Sequence, residues 1–249
     1  MRYPKFLCWG IAFLFNSGLL FGDGATATKP TPSEVLKVLQ EGNARFVEGK
    51  VIHPNSGLDR RALANKESQA KYAFATIVSC SDSRVPPELI FDTGIMDLFV
   101  IRIAGNICNT DEAGSIEYGL FHVNTPLLVI MGHSQCGAVT AVIQETTGHG
   151  HKLESNIPPL VAPIIPPVKK VIAANPGLEG TKLIDLCIEK NVWQAFNDLF
   201  TKSPETRELV KSGKVKALGA IYDLETGKVN WLPEEKVIQI LDKVSKEAK

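Results

Sequence analysis

Three short apolar runs rich in β-branched residues, Phe74–Ser79, Leu98–Ile103 and Pro126–Met131, constrain this chain more than any other feature. Runs of that length, bounded by polar segments, suit strands buried on both faces of a parallel sheet. A helical pattern from about Asp111 to His122 separates the second run from the third, with Ile116, Leu120 and Phe121 available to face a sheet. Strand, helix, strand in that order predicts right-handed crossovers and a mostly parallel β-sheet flanked by helices, an α/β fold.

The flanking segments extend this plan. Thr31 to Val47 predicts an N-terminal helical arm, about 31–48, capped by Thr31 or Ser33, with Pro32 and Glu34 in the first turn. Residues Val51 to Asn65 read as a loop leading into a short polar helix, Ala138 to Glu145 as a helix, and Gly148 to Pro159 as a loop. Leu183 to Phe200 is an amphipathic helix carrying Leu186, Trp193, Phe196, Leu199 and Phe200. Val215–Tyr222 and Val229–Leu232 flank Glu225-Thr226-Gly227, which predicts a C-terminal antiparallel hairpin strand. A last helix, about 233–247, follows an α/β core of about 70–232.

The first residues read as a secretory signal peptide, 1–27. Arg2 and Lys5 precede an apolar run from Phe6 to Phe21, and Ala25-Thr26-Ala27 is a small-x-small cleavage site. An uncleaved anchor is the alternative, but Asn16, Ser17 and Gly18 interrupt the run. Cleavage predicts an exported, periplasmic protein forming one domain over 28–249. Lys+Arg 27 balances Asp+Glu 27, so no net field draws the chain to nucleic acid or to an anionic membrane surface.

Of five cysteines, Cys8 leaves with the signal, and Cys80, Cys108, Cys136 and Cys187 remain. In an exported chain four cysteines suggest two disulfides. A metal is the competing reading. Each strand run ends in a polar segment: Cys80-Ser81-Asp82-Ser83-Arg84, Ala104-Gly105-Asn106, and Gly132-His133-Ser134-Gln135-Cys136-Gly137. Beyond the carboxyl ends of parallel strands such segments converge. Zn2+ matches two thiolates and an imidazole, and Cys80, His133 and Cys136 leave a fourth position open, as catalytic zinc requires. Period-two alternation predicts Asp82 and Arg84 on the same side as Cys80. Asp82 can then accept a hydrogen bond from a metal-bound water, while Arg84 clamps it in a bidentate pair.

Cys80-Ser81-Asp82-Ser83-Arg84-Val85-Pro86-Pro87-Glu88, Arg102-Ile103-Ala104-Gly105-Asn106, Gly114-Ser115-Ile116-Glu117-Tyr118, Gly132-His133-Ser134-Gln135-Cys136-Gly137-Ala138-Val139 and Gly219-Ala220-Ile221-Tyr222-Asp223 together resemble a β-class carbonic anhydrase. The resemblance runs from about Thr31 to Leu232. It implies one Zn2+ per chain on Cys80, His133 and Cys136, catalytic roles for Asp82 and Arg84, and reversible hydration of CO2 to bicarbonate and a proton by a zinc-bound hydroxide. It implies substrate contacts near Gly137, Gly105 and Asn106, and a homodimer, often assembled further to a homotetramer, with the helical arm wrapping its neighbour. In some members the equivalent of Asp82 swings onto zinc as a fourth ligand and closes the site. Ile77 stands where such members tend to carry Trp, which favours an open site here. One departure is Lys71, where many relatives carry a Gln that reaches a neighbouring site; Gln69 is displaced by two.

Other readings of the same residues stay open. A carbon disulfide or carbonyl sulfide hydrolase would use the same scaffold, and a non-catalytic zinc-bound module would keep Asp82 and Arg84 as a structural ion pair. His149 and His151 in a Gly-His loop are either solvated or a proton shuttle or second metal site. Cys108 and Cys187 are free, core thiols or a disulfide. His122 and Tyr118 face a core or an interface.

Overall fold

A computed structural model describes residues 29–248. The signal-peptide reading, with Cys8, lies outside the described residues. The chain opens with α1 (Pro32–Val47), whose N-terminus is closed by a capping box: Thr31 accepts from the Glu34 N–H, and the Glu34 carboxylate accepts from the Thr31 N–H. Helix α2 (Leu58–Ala64), strand β1 (Ala75–Ser79), helix α3 (Pro87–Ile90), strand β2 (Leu98–Arg102), helix α4 (Thr110–Glu117) and strand β3 (Leu127–His133) follow. Helices α5 (Gly137–Thr146), α6 (Ile157–Val161), α7 (Ile165–Ala174), α8 (Gly180–Lys202) and α9 (Pro204–Lys211) lead to strands β4 (Lys216–Tyr222) and β5 (Val229–Trp231) and to helix α10 (Glu234–Glu247).

The strands form one sheet in the order β2-β1-β3-β4-β5, parallel except for the β4/β5 hairpin. Alternate residues of the central strands enter opposite cores. Ala75, Ile77, Leu127, Val129 and Met131 pack beneath α1 and α3, while Val78, Leu128 and Ile130 pack against the helices of the other face. Strand β2 departs from the expectation of burial on both faces. The chain runs from β1 out to β2 and returns past it to β3, which leaves β2 at the sheet edge, half-buried along most of its length. Helix α1 packs one face onto its own chain. Its Val35 and Leu39 are fully buried on its own chain, and Asn43 donates to the carbonyls of Ile90 and Gly227.

Two helical stretches were not legible in the sequence. Ile157 to Ala174, read as loop as far as Pro159, forms α6, a short turn and α7, because its prolines fall in the first turns, where the missing N–H has no partner to lose. Helix α9 follows Ser203, whose hydroxyl accepts from the Thr206 N–H as an N-cap. The hairpin turn is as predicted: Asp223 accepts from the N–H groups of Glu225 and Thr226, and Gly227 takes a positive φ of 72°.

Strand β1 sits where the connections leave in opposite directions, to β2 on one side and toward β3 on the other. The crevice at such a switch point, beyond the strands' carboxyl ends, is where an open α/β sheet binds ligands. Cys80 follows β1 directly and His133 ends β3.

Candidate metal centre

The crevice brings together the residues that the spacing singled out. One donor atom each from Cys80, His133 and Cys136 lies within 4.8 Å of the others. Zn–S and Zn–N bonds of roughly 2.3 and 2.0 Å place tetrahedral donors roughly 3.5–3.8 Å apart, so little adjustment closes this set on one ion. Cys136 is the N-cap residue of α5, and Gln135 before it takes a positive φ of 56° to turn the chain out of β3. At Gly132, Val192, Ile188 and Ile221 lie within about 3.2 Å of where a Cβ would stand, so α8 closes onto the strand end next to His133.

The His133 ring is fully buried. Its Nδ1 lies 2.9 Å from the carbonyl of Ser134, and a carbonyl only accepts, so Nδ1 carries the proton and Nε2 presents its lone pair. Nε2 is buried without a hydrogen-bond partner. An unpaired acceptor there is costly unless a cation takes it. Ser134 is itself held, its N–H donating to Tyr222 and its hydroxyl accepting from the Leu224 N–H.

The thiols fit the same conclusion. Cys80 is pulled down to about 4, chiefly by its hydrogen bond with Cys136, against burial and with help from His133 and the N–H of Gly105. Cys136 is pushed up by the same pairing and by burial. The opposite shifts mean that the two adjacent sulfurs do not both ionise without a cation beside them. Fit to a thiolate-binding cation is therefore good. All four described cysteines are free thiols, so the disulfide reading of Cys80, Cys108, Cys136 and Cys187 is set aside. Burial pushes Cys108 up to about 12 and Cys187 up to about 11.

Beside the cluster, Arg84 clamps Asp82. Its Nε and Nη2 donate to Oδ1 and Oδ2 at 2.9 and 2.8 Å, and the Arg84 backbone N–H adds a third bond to Oδ1 at 2.9 Å. The expected alternation of an extended segment is not how this arises. The chain turns after Asp82, with the Val85 N–H on the Asp82 carbonyl, and the turn folds Arg84 back onto the carboxylate. The hydrogen bond from Arg84 holds the Asp82 carboxyl far below the usual range, despite its burial. Asp82 Oδ2 stands 4.0 Å from His133 Nε2.

Two polar residues that carry this site escaped the sequence reading. Arg102, at the end of β2, donates to the carbonyls of Cys80 at 3.2 Å and Asp82 at 2.6 Å. Asn191 on α8 donates to the carbonyl of Gly105 at 2.7 Å, and the Gly105 N–H donates to Cys80 Sγ at 3.3 Å. Asn191 falls on the stripe Cys187, Asn191, Ala195 of a buried helix face; a polar residue there was the available signal. Both backbone polar groups of Gly105 are thus engaged, its N–H on Cys80 and its carbonyl on Asn191. Asn106 is buried with its Nδ2 unpartnered, and Gly137 lies exposed at the start of α5. His149 and His151 are exposed and outside the cluster, with His149 on Thr147. Lys71 is exposed and paired with Glu67. Tyr118 is half exposed, stacked between Phe99 and His122.

A sequence model of the family described as carbonic anhydrase matches residues 75–229, which run from the start of β1 to the first residue of β5 and include every residue of the cluster. The chain is 32% identical over 198 residues to a carbonic anhydrase of Mycolicibacterium smegmatis, covering 80% of this chain and 92% of the relative. It is 34% identical over 198 residues to carbonic anhydrase 2 of Mycobacterium tuberculosis, covering 79% and 91%. Among solved structures, the β-carbonic anhydrase CcaA superposes with a TM-score of 0.59 at 28% identity, over 79% of this chain and 86% of that one.

Proposed function

The chain belongs to the β-class carbonic anhydrase family, and from that premise we propose how it hydrates carbon dioxide reversibly to bicarbonate and a proton: Cys80, His133 and Cys136 hold one zinc ion, and Asp82, clamped by Arg84, orients the attacking water. The observation that carries this is the buried, unpartnered Nε2 of His133 in a cluster whose Cys80, His133 and Cys136 donor atoms lie within 4.8 Å of one another. Zinc held there supplies Lewis acidity that lowers the pKa of a water from about 15.7 toward 7.

The protein's own part follows from the geometry. Ser134 fixes the His133 tautomer, so that Nε2 is always the donor. Two thiolates cancel the formal charge of a divalent ion. Acidification of water is then weaker than three imidazoles would give, and turnover rises with pH. Asp82, kept ionised by Arg84, would accept a hydrogen bond from that water and so orient it for attack on CO2. The three bonds to Asp82 keep it off the ligand cluster, which supports a site of the open type.

We infer that the chain works as a homo-oligomer in the periplasm after removal of residues 1–27. The open edge of β2 and the exposed ring of Tyr118, stacked on Phe99 of that strand, support an interface between copies.

Metal analysis with CO2 hydration on two variants tests the site. Cys136→Ser loses zinc and activity together, whereas Asp82→Ala retains zinc and loses about 100-fold in rate. Full hydration by Asp82→Ala would leave Asp82 and Arg84 a structural ion pair.

A further inference from the structure

Asn191 is only 2% exposed, in the middle of a 23-residue helix whose buried face is otherwise almost wholly apolar. An amide in such a place costs stability unless its hydrogen bonds are made. This one reaches across 86 positions of sequence to the Gly105 carbonyl at 2.7 Å. Gly105 is held in a left-handed conformation, φ 75° and ψ 14°, and a Cβ on it would come within 2.6 Å of Ile164 Cδ1 and 3.3 Å of Ala138 Cβ. In that conformation its N–H points at Cys80 Sγ. Helix α8 is therefore joined to a metal-facing sulfur through one residue.

We propose that Asn191 is a positioning residue of the metal centre: by gripping the Gly105 carbonyl it aims the Gly105 N–H at Cys80 and so sets that sulfur's place and its strength as a donor. This rests on Cys80 being a metal ligand. An N–H directed at a thiolate draws on the same lone pairs that the metal uses, so the bond tempers donation from Cys80. The chemistry is that of an outer contact to a ligand; Asn191 itself touches neither metal nor substrate.

The test uses cobalt(II) added to the metal-stripped chain, because thiolate-to-cobalt charge transfer reports on sulfur donation directly. Wild type gives the band. Asn191→Leu, similar in volume without a donor, moves it to longer wavelength because the Cys80 sulfur donates more freely, and lowers zinc affinity about 10-fold in chelator competition because that sulfur is no longer held in place. Leu199→Ala, two turns further along the same buried face, lowers Tm but keeps the wild-type band and affinity. Asn191→Ala is the second variant, read in the same way should Asn191→Leu fail to fold. Asn191 variants that lose Tm as Leu199→Ala does, with band and affinity unmoved, would overturn the proposal. A wild-type chain with no such band would instead sink the assignment of Cys80 as a ligand.

Discussion

Nε2 of His133 lies 4.0 Å from Oδ2 of Asp82, beyond hydrogen-bond reach, because Arg84 draws the carboxylate aside in a bidentate pair. The carboxylate is thereby close to the ligand cluster without being a member of it. Its position depends on a guanidinium that is half exposed and makes one further bond, to the carbonyl of Gln135 at 3.3 Å.

Arg84→Met therefore keeps zinc but lowers CO2 hydration 10- to 100-fold, since Asp82 loses its orientation. Arg84→Lys does not rescue, because a single ammonium cannot reproduce the two-pronged contact. Steady-state rates with zinc determined on the same samples check this; a wild-type rate in Arg84→Met would contradict it.

Arg102 holds the backbone of the same loop through the carbonyls of Cys80 and Asp82. Arg102→Gln is expected to lower hydration about 10-fold and to weaken zinc retention under chelator, with little change in Tm. Unchanged zinc retention and rate would show that the loop keeps its shape without this anchor.

Asp92 predicts a pH dependence of stability. Burial pushes its carboxyl up, but the bond from Arg45 at 2.6 Å and the N–H groups of Ile52 and His53 outweigh burial and hold it below the usual range. A depressed folded value means stability that is fully present above the unfolded pKa of about 4 and is lost as pH falls through the folded one. Arg45→Met leaves a buried carboxylate without its counter-charge, held only by the N–H groups of Ile52 and His53, and costs about 3 kcal/mol at pH 7. The gap from wild type in urea unfolding narrows below about pH 4; a gap constant down to pH 3 would contradict this account.

Tyr118 is 52% exposed and stacks on Phe99 of a strand with an unpaired edge, and Phe121, 39% exposed, follows it three positions along the same helical turn. Tyr118→Asp with Phe121→Asp places charge on that surface, and the oligomer is expected to dissociate in light scattering after size exclusion. A variant that keeps the wild-type mass would place the interface elsewhere.

Much of this was legible in the chain. Strands β1 and β3 announce themselves because both faces are buried, and Cys80, His133 and Cys136 because metal chemistry restricts which residue types and spacings serve. Strand β2 carries the same apolar run, yet its place at the edge depends on the order of crossovers, which no local pattern records. Asn191 and Arg102 were missed for a related reason: each acts on a backbone carbonyl 20 to 86 positions away, and an isolated polar residue carries no mark of its distant partner. The Val51–Asn65 segment read as a loop because Asp92 and Asp97, from the far side of β1, organise it through the N–H groups of Ile52 and His53 and the side chains of Asn55 and Arg60.

The most direct test is stopped-flow CO2 hydration from about pH 6.5 to 9 on the chain without residues 1–27, with zinc per chain measured on the same sample. One zinc per chain and a rate that climbs with pH are predicted. A full complement of zinc without hydration, or hydration by zinc-free protein, would contradict the account.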